Sequence, residues 1–510
     1  MPFLASTLDP STLDPVGLGA ILAILATGYY VLSTAYSWYR LHHVPGPFIA
    51  SLSYIWLARQ VLNGTQLEAI GSATKKYGSL VRVGPNELLT DDPEVVRRMS
   101  SAKSKYWKSD WYSGSRFNPY LPSMFITLDP AAHDKMKARM TPGYSGRDNP
   151  GAEADVDAQV MSLINLIRKK YISHPGKGEF RPLNLVQTVS FFTLDVLSKI
   201  ALGNAFGSLE SDSDSHEFCG TVSKHVPQMA FTADVPWARD VVYSTLGLKL
   251  FGPKETDSKG LGKVMGLVNE AVRKLFIPGA DKEEKTLLGS FVRHGLLQPQ
   301  CEVEMLFLFA AGSDTTAAAI RGTLLHLLSA PQVYRKLKDE ISSAVQDGKV
   351  SSPITYSEAK GLPYLQAVVY EGLRIRPITS SLMAKAVPPG GDTIDGKFIP
   401  GGTSIGTNFL MLLRSKEVFG EDADFFRPER YLEVDQNTRV EMQRHVELMF
   451  GYGRWLCSGK LIAFMELNKI YFELLRHFDF QLLDPQAPMS TVSHGLILDK
   501  GLLVRVTEST

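Results

Sequence analysis

Three short stretches of this 510-residue sequence carry residue types that could do chemistry together. The first is Phe450-Gly-Tyr-Gly-Arg-Trp-Leu-Cys-Ser-Gly459, in which one cysteine, Cys457, stands among glycines. Gly451, Gly453 and Gly459 permit positive φ or very close approach of a flat group. A thiolate at such a turn, beside a helix N-terminus, is favoured by the amide dipoles aimed at it. Taken alone, the same cysteine reads more readily as a packed core residue. The second stretch is Ala310-Ala-Gly-Ser-Asp-Thr-Thr316, where Asp314 and Thr315 put a carboxyl group and a hydroxyl side by side, the pair that proton delivery requires. The third joins Glu371 and Arg374, three apart and so on one helix face, with Arg430 in Phe426-Arg-Pro-Glu-Arg430. An exposed pair of that kind contributes little, but the surrounding helix is apolar on nearly every other side, which points to a buried pair.

These residues need rigid elements. The apolar run Ile462 to Leu475 predicts a helix leading out of the Cys457 turn. Glu302 to Leu328, bounded by Pro299 and Pro331, predicts the longest helix, about 40 Å at 1.5 Å per residue. Gly312 in its middle costs about 1 kcal/mol relative to alanine. A threonine hydroxyl there can compete for backbone carbonyls and is expected to open the helix locally into a groove. Leu362 to Arg374 reads as a helix, as do the amphipathic stretches Val156 to Tyr171, Leu183 to Leu202 and Leu261 to Phe276. Ser79 to Leu89 reads as two short strands around a Gly-Pro-Asn turn, and Pro93 to Ser101 as a short helix. The fold class expected is mainly α with small β-sheets.

At the N-terminus, Val16 to Tyr39 contains no charged residue and exceeds the roughly 20 residues that span a bilayer. Tyr29, Tyr30, Tyr36, Trp38 and Tyr39 crowd its end like an interfacial belt, and Asp9 and Asp14 before it do not suit a cleaved signal peptide. Arg40, His42 and His43 follow, which leaves the N-terminus lumenal and the bulk cytosolic. The expected organisation is a lumenal tail 1–15, a transmembrane anchor 16–39, a proline-rich hinge 40–48 around His43-Val-Pro-Gly-Pro47, and one catalytic domain 49–510. A formal net charge of +1 gives no reason to expect nucleic acid as a partner. Cys219, Cys301 and Cys457 are odd in number and in no metal-finger spacing, which argues against a disulfide framework.

The spacing of Phe450, Gly453, Arg454, Cys457 and Gly459 closely resembles the haem-binding loop of the cytochrome P450 monooxygenases. The resemblance extends from the hinge to the last strands around Gly495 to Val506. It implies the cytochrome P450 fold, preceded here by a single N-terminal transmembrane helix, with haem b as cofactor and Cys457 as the thiolate ligand of its iron. It implies that Asp314 and Thr315 are catalytic, that Phe450, Gly453, Arg454 and Gly459 cradle the haem, and that Glu371, Arg374 and Arg430 form a structural network. Lys137, in His133-Asp-Lys-Met-Lys137, and Lys385 stand where the family usually places arginines on the haem propionates, and Trp455 where it often places another basic residue. Haem anchoring would thus rest on ammonium point charges instead of guanidinium forks. Lys135 and Arg139 on another face are candidates for docking an acidic electron donor. The aromatic stretch Ser104 to Phe125 matches the loop over the distal pocket. The family implies an NADPH-cytochrome reductase, O2 and a hydrophobic small-molecule substrate as partners, and residence in the endoplasmic reticulum membrane. The wording of the Cys457 loop is similar to that of fungal members in secondary metabolism.

Overall fold

A computed structural model describes residues 15–509; the expected tail Met1 to Asp14 lies outside them. The helices that frame the site are α1 (Pro15–Leu41), α2 (Pro130–Tyr144), α3 (Leu185–Leu202), α4 (Phe218–Asp234), α5 (Gln298–Leu328), α6 (Pro363–Ile375) and α7 (Lys460–His477). The main sheet comprises β1 (Leu80–Arg82), β2 (Glu87–Thr90), β3 (Trp107–Lys108), β4 (Lys385–Ala386) and β5 (Ser404–Thr407), in the order β1-β2-β5-β4-β3. Only β2 and β5 run parallel, with Leu88 opposite Ile405. A C-terminal hairpin, β6 (Ser490–His494) and β7 (Leu496–Lys500), pairs Val492 with Leu498. The chain is thus mainly α with small sheets.

Local chemistry explains the boundaries. Asp129 caps α2 by accepting from Ala132 N at 2.7 Å, with Pro130 in the first turn where its missing N–H costs nothing. Asn184 caps α3 in the same way through Val186 N at 3.1 Å. Helix α5 begins at Gln298, upstream of the expected Glu302, because Pro299 occupies its first turn instead of bounding it. α5 runs through the middle of the molecule and packs against α3, α6, α7 and β7. Leu194, Val196, Phe309, Ile320, Leu324, Val368 and Ile470 are buried along these contacts. Each such side chain contributes about 1.5–3 kcal/mol by leaving water.

The groove expected in α5 is not formed by a helix break. Thr315 Oγ1 donates to Ala311 O at 2.9 Å and Ser313 Oγ to Phe309 O at 2.6 Å, yet the backbone is helical from Gln298 to Leu328. A carbonyl has two lone pairs, so it accepts the hydroxyl without giving up its helical N–H. Gly312 has a packing reason: a Cβ there would stand 2.7 Å from Leu197 Cδ1 of α3.

Val16–Leu41 is an exposed helical stretch of 26 residues with mean hydropathy 1.8, long and apolar enough to cross a membrane. α3 and α5 are also long and apolar, but most of their surface is buried in the protein core. The prolines after α1 are pinned to the body. Arg82 N donates to Pro45 O at 2.8 Å, and the Arg82 guanidinium donates to Ser37 O at 3.0 Å and Pro85 O at 2.7 Å. Gly46 lies so close to β1 that a Cβ would stand 2.1 Å from Arg82 O.

Candidate active site

The Cys457 turn is built by close approach. Gly451 has φ 79° and a Cβ there would stand 2.5 Å from Trp455 O; Gly453 has φ 53° and would strike Ser100 O at 2.6 Å. Gly459, at φ −80°, adopts a backbone open to any residue, so the positive φ allowed for it is not used. Cys457 N donates to Phe450 O at 2.7 Å, closing the turn. The Phe450 ring lies 5.4 Å from that of Phe464 on α7. Burial pushes the Cys457 thiol up, while the N–H groups of Gly459 and Lys460 and the Lys137 ammonium favour its thiolate. Cys457 is itself accessible although protein surrounds it closely. Ala311, Gly312, Asp314 and Thr315 on α5 are likewise partly accessible in a helix whose other residues are mostly buried.

Beside the turn, basic groups converge on Trp455. Lys108 Nζ lies 4.9 Å and Lys385 Nζ 5.6 Å from the centre of its ring, and the His133 ring 4.6 Å. Lys385 Nζ donates to Tyr112 Oη at 2.6 Å and Met383 O at 3.0 Å; Lys108 Nζ donates to Phe125 O at 2.7 Å and Met124 O at 3.0 Å. Among the described residues neither lysine forms a direct ion pair, although the carboxylates of Glu304 and Asp134 are close enough to favour the charged form of Lys108, and the buried Trp455 Nε1 has no partner. Burial pushes Lys385 down to about 7 and Lys108, with Lys385 adding to the effect, down to about 6.

Two further basic residues tie the turn to its surroundings. Lys137 Nζ donates to Arg454 O at 2.7 Å and Leu456 O at 2.8 Å, and Arg454 pairs with Asp134 at 3.1 Å and donates to Ala102 O at 3.0 Å.

Glu371, Arg374 and Arg430 form the expected network. The Arg374 guanidinium grips both Glu371 oxygens at 2.7 and 2.8 Å, and Arg430 Nε adds a bond at 3.1 Å, with all three side chains buried. Their remaining donors go to the Asp422 carboxylate, at 2.8 Å from Arg430, and to the Leu413, Phe419, Asp422, Ala423 and Phe425 carbonyls in the segment 413–425. The network therefore braces that segment and does not bond the Cys457 turn itself. The link to the turn runs through Tyr370 of α6, which donates to Glu447 at 2.9 Å, and Glu447 pairs with Lys460 at 2.7 Å.

A family model described as Cytochrome P450 matches residues 44–504. The chain belongs to the cytochrome P450 family. It is 49% identical over 470 residues to the cytochrome P450 monooxygenase aba1 of Botryotinia fuckeliana (strain B05.10), covering 92% of each chain. It is 46% identical over 497 residues to ABA1 of Pyricularia oryzae (strain 70-15), covering 96% of this chain and 97% of the relative. It is 43% identical over 524 residues to abl1 of Leptosphaeria maculans, covering 99% and 92%. The chain is therefore an oxidoreductase of the P450 monooxygenase type, and its family is one of haem-thiolate proteins.

The residues present fit a P450 haem. An accessible cysteine in a turn lined with N–H groups suits a soft metal ion. Two buried ammonium groups and an unpartnered indole N–H beside it suit the cofactor's carboxylates. Lys108 is the residue that sequence reasoning missed; the signal was a lone lysine in the aromatic stretch between Tyr106 and Tyr112. Missed too was the ion pair of Asp314 with Arg321, two helical turns further along α5 at 3.8 Å.

Proposed function

We propose that this protein is a membrane-anchored haem-thiolate monooxygenase in which Cys457 is the iron ligand and Asp314 and Thr315 deliver protons. The observation that carries the reading is the convergence at one place of the accessible Cys457 turn, an unpartnered indole N–H and two buried lysines with no direct ion pair. When bound, the haem supplies activation of dioxygen, favoured by electron donation from its thiolate. Phe450, Gly453, Arg454 and Gly459 shape the cradle, and Lys385, Lys108 and Trp455 hold the carboxylates. Lys137 acts through the turn, whose Arg454 and Leu456 carbonyls flanking Trp455 its ammonium ties down.

The proton machinery is local to α5. Burial raises the Asp314 carboxyl above the usual range, and its Oδ2 has no hydrogen-bond partner. The Thr315 hydroxyl spends its hydrogen on Ala311 O and leaves its oxygen free to accept. Two helical turns upstream of these residues, the partly buried Phe307 stacks on Phe125 at 4.9 Å and meets Phe117 at 6.3 Å. That aromatic wall suits an apolar small molecule and excludes water from the proton path. Electrons would come from an NADPH-dependent reductase docking on the face bearing Lys135 and Arg139. α1 would hold the enzyme in the endoplasmic reticulum membrane with residues 49–510 in the cytosol, and the fungal relatives favour a step of secondary metabolism.

The reading is tested with purified enzyme and reductase. Thr315→Ala is expected to consume NADPH while releasing peroxide in place of product. Fully coupled turnover in that variant would remove Thr315 from the mechanism.

A further inference from the structure

Behind Asp314 lies a chain of buried charges that reaches the C-terminal hairpin. Arg321 sits on α5 two turns from Asp314, and its Nη2 stands 3.8 Å from Asp314 Oδ1, too far for a hydrogen bond. The same guanidinium makes a closer bond in the other direction, Nε to Asp499 Oδ2 of β7 at 3.2 Å. A second bond, Nη1 to Ser190 Oγ of α3 at 2.9 Å, fixes its plane. Asp499 is in turn held from the far side. Arg376 Nη1 donates to its Oδ2 at 3.2 Å and Arg376 Nη2 to its Oδ1, while Thr491 Oγ1 of β6 donates to Oδ1 at 2.9 Å. Arg376 completes the clamp by donating to Thr491 Oγ1 at 2.9 Å. The Asp499 side chain is wholly buried and that of Arg321 nearly so.

From these distances we propose that Asp499 is a positioning residue for Asp314: by holding the Arg321 guanidinium on the hairpin side, it keeps Asp314 from forming a closed ion pair. A buried carboxyl locked in a bidentate pair with arginine would stay ionised and turned away from any acceptor. One held at 3.8 Å from the same arginine keeps an oxygen free, and Asp314 Oδ2 has no hydrogen-bond partner. The two carboxylates thus compete for one cation, and the anchored one wins because Arg376 and Thr491 fix it in place. Other groups bear on the same spot without taking either role. Cys219 of α4 faces Asp314, and its thiol is pushed out of the ionising range, chiefly by burial. Asp195 of α3 is engaged by Ser208 N and Leu209 N. Arg376 reaches Asp499 and not Asp314.

The inference rests on the proton-delivery reading of Asp314, and it is tested without turnover. In the full-length ferric holoenzyme, the infrared band of the protonated Asp314 carboxyl is assigned by its loss in Asp314→Asn and then titrated. In Asp499→Asn, Arg321 is free to close on Asp314 and the Asp499 charge that raises Asp314 is also lost, so the midpoint of that band is expected to fall by at least about one pH unit, a tenfold loss of proton affinity. Thr491→Val loosens the anchor while keeping every charge, so a smaller fall there isolates the clamp from the lost charge. Asp499→Glu is expected to restore most of the shift. An unchanged or raised midpoint in Thr491→Val overturns the clamp, whatever Asp499→Asn shows. The proton-delivery reading stands or falls separately: Asp314→Asn that turns over without extra peroxide would end that reading whatever the titration shows.

Discussion

Two buried charge clusters of this protein look alike in composition and behave differently. Around Glu371, two guanidiniums share its carboxylate, Arg430 also pairs with Asp422, and the surplus donors go to backbone carbonyls, so every strong donor finds an acceptor inside the protein. Around Trp455, two ammonium groups face an aromatic ring and an unpartnered indole N–H, with no direct ion pair among the described residues. A saturated cluster is finished as architecture, whereas one with a free indole N–H and lysines held mainly by neutral acceptors has donors to spare for an anion from outside. The difference separates residues that hold the fold from residues that hold a ligand, although both sets are buried and basic.

The comparison breaks most visibly at Glu371. Glu371→Ala leaves Arg374 buried without a counter-charge and Arg430 with only the partly exposed Asp422, and breaking a buried network in this way costs about 3–5 kcal/mol. The expected outcome is no soluble haem-loaded protein, read by expression and by the carbon monoxide spectrum; a normal haem content would show that the network is not needed.

Asp234 offers an intermediate case and sharpens the rule. This buried carboxyl has donors, Gln66 Nε2 and Trp111 Nε1 at 2.6 Å, but no cation, and burial raises it from 3.8 to about 7. The folded state then binds the proton more tightly than the unfolded chain. The stability this group adds is full below about pH 4 and declines by about 1.4 kcal/mol per pH unit until about pH 7. Asp234→Asn should remove that slope, so thermal melting of the variant relative to the parent improves as pH rises from 5 to 7. A constant difference across that range would mean that Asp234 does not titrate there.

The smallest effect is expected at the unsaturated cluster. A charge-assisted hydrogen bond is worth about 1.5–3 kcal/mol, so Lys385→Met should speed haem transfer to an excess of apomyoglobin by roughly tenfold or more while leaving a cooperative melt. Collapse of the fold, as at Glu371, would erase the distinction between the two clusters.

What the sequence allowed one to read follows the same division. The Cys457 turn, the Asp314–Thr315 pair and the Glu371–Arg374 pair each lie within a few residues of chain, and their spacing survives folding almost unchanged. Arg430 was legible because its motif is also local. Lys108 was not, because its importance depends on β3 pairing with β4, which puts Trp107 opposite Ala386 and Lys108 beside Lys385. The clamp on Asp314 joins α5, α3 and β7, and only Arg321, a lone cation in an apolar helical run, hinted at it. Gly312 was misread for the opposite reason: its close partner Leu197 belongs to a helix more than a hundred residues upstream, so a packing constraint looked like a local break. Lys137 sits on the expected helix but spends its charge on loop carbonyls, a contact that no local pattern encodes.

The central claim is that Cys457 supplies the thiolate, and the ferrous carbon monoxide difference spectrum reports on it directly. The wild-type protein is expected to give the thiolate-type band and Cys457→His to lose it while still binding haem; a Cys457→His protein that keeps the thiolate-type band would contradict the account.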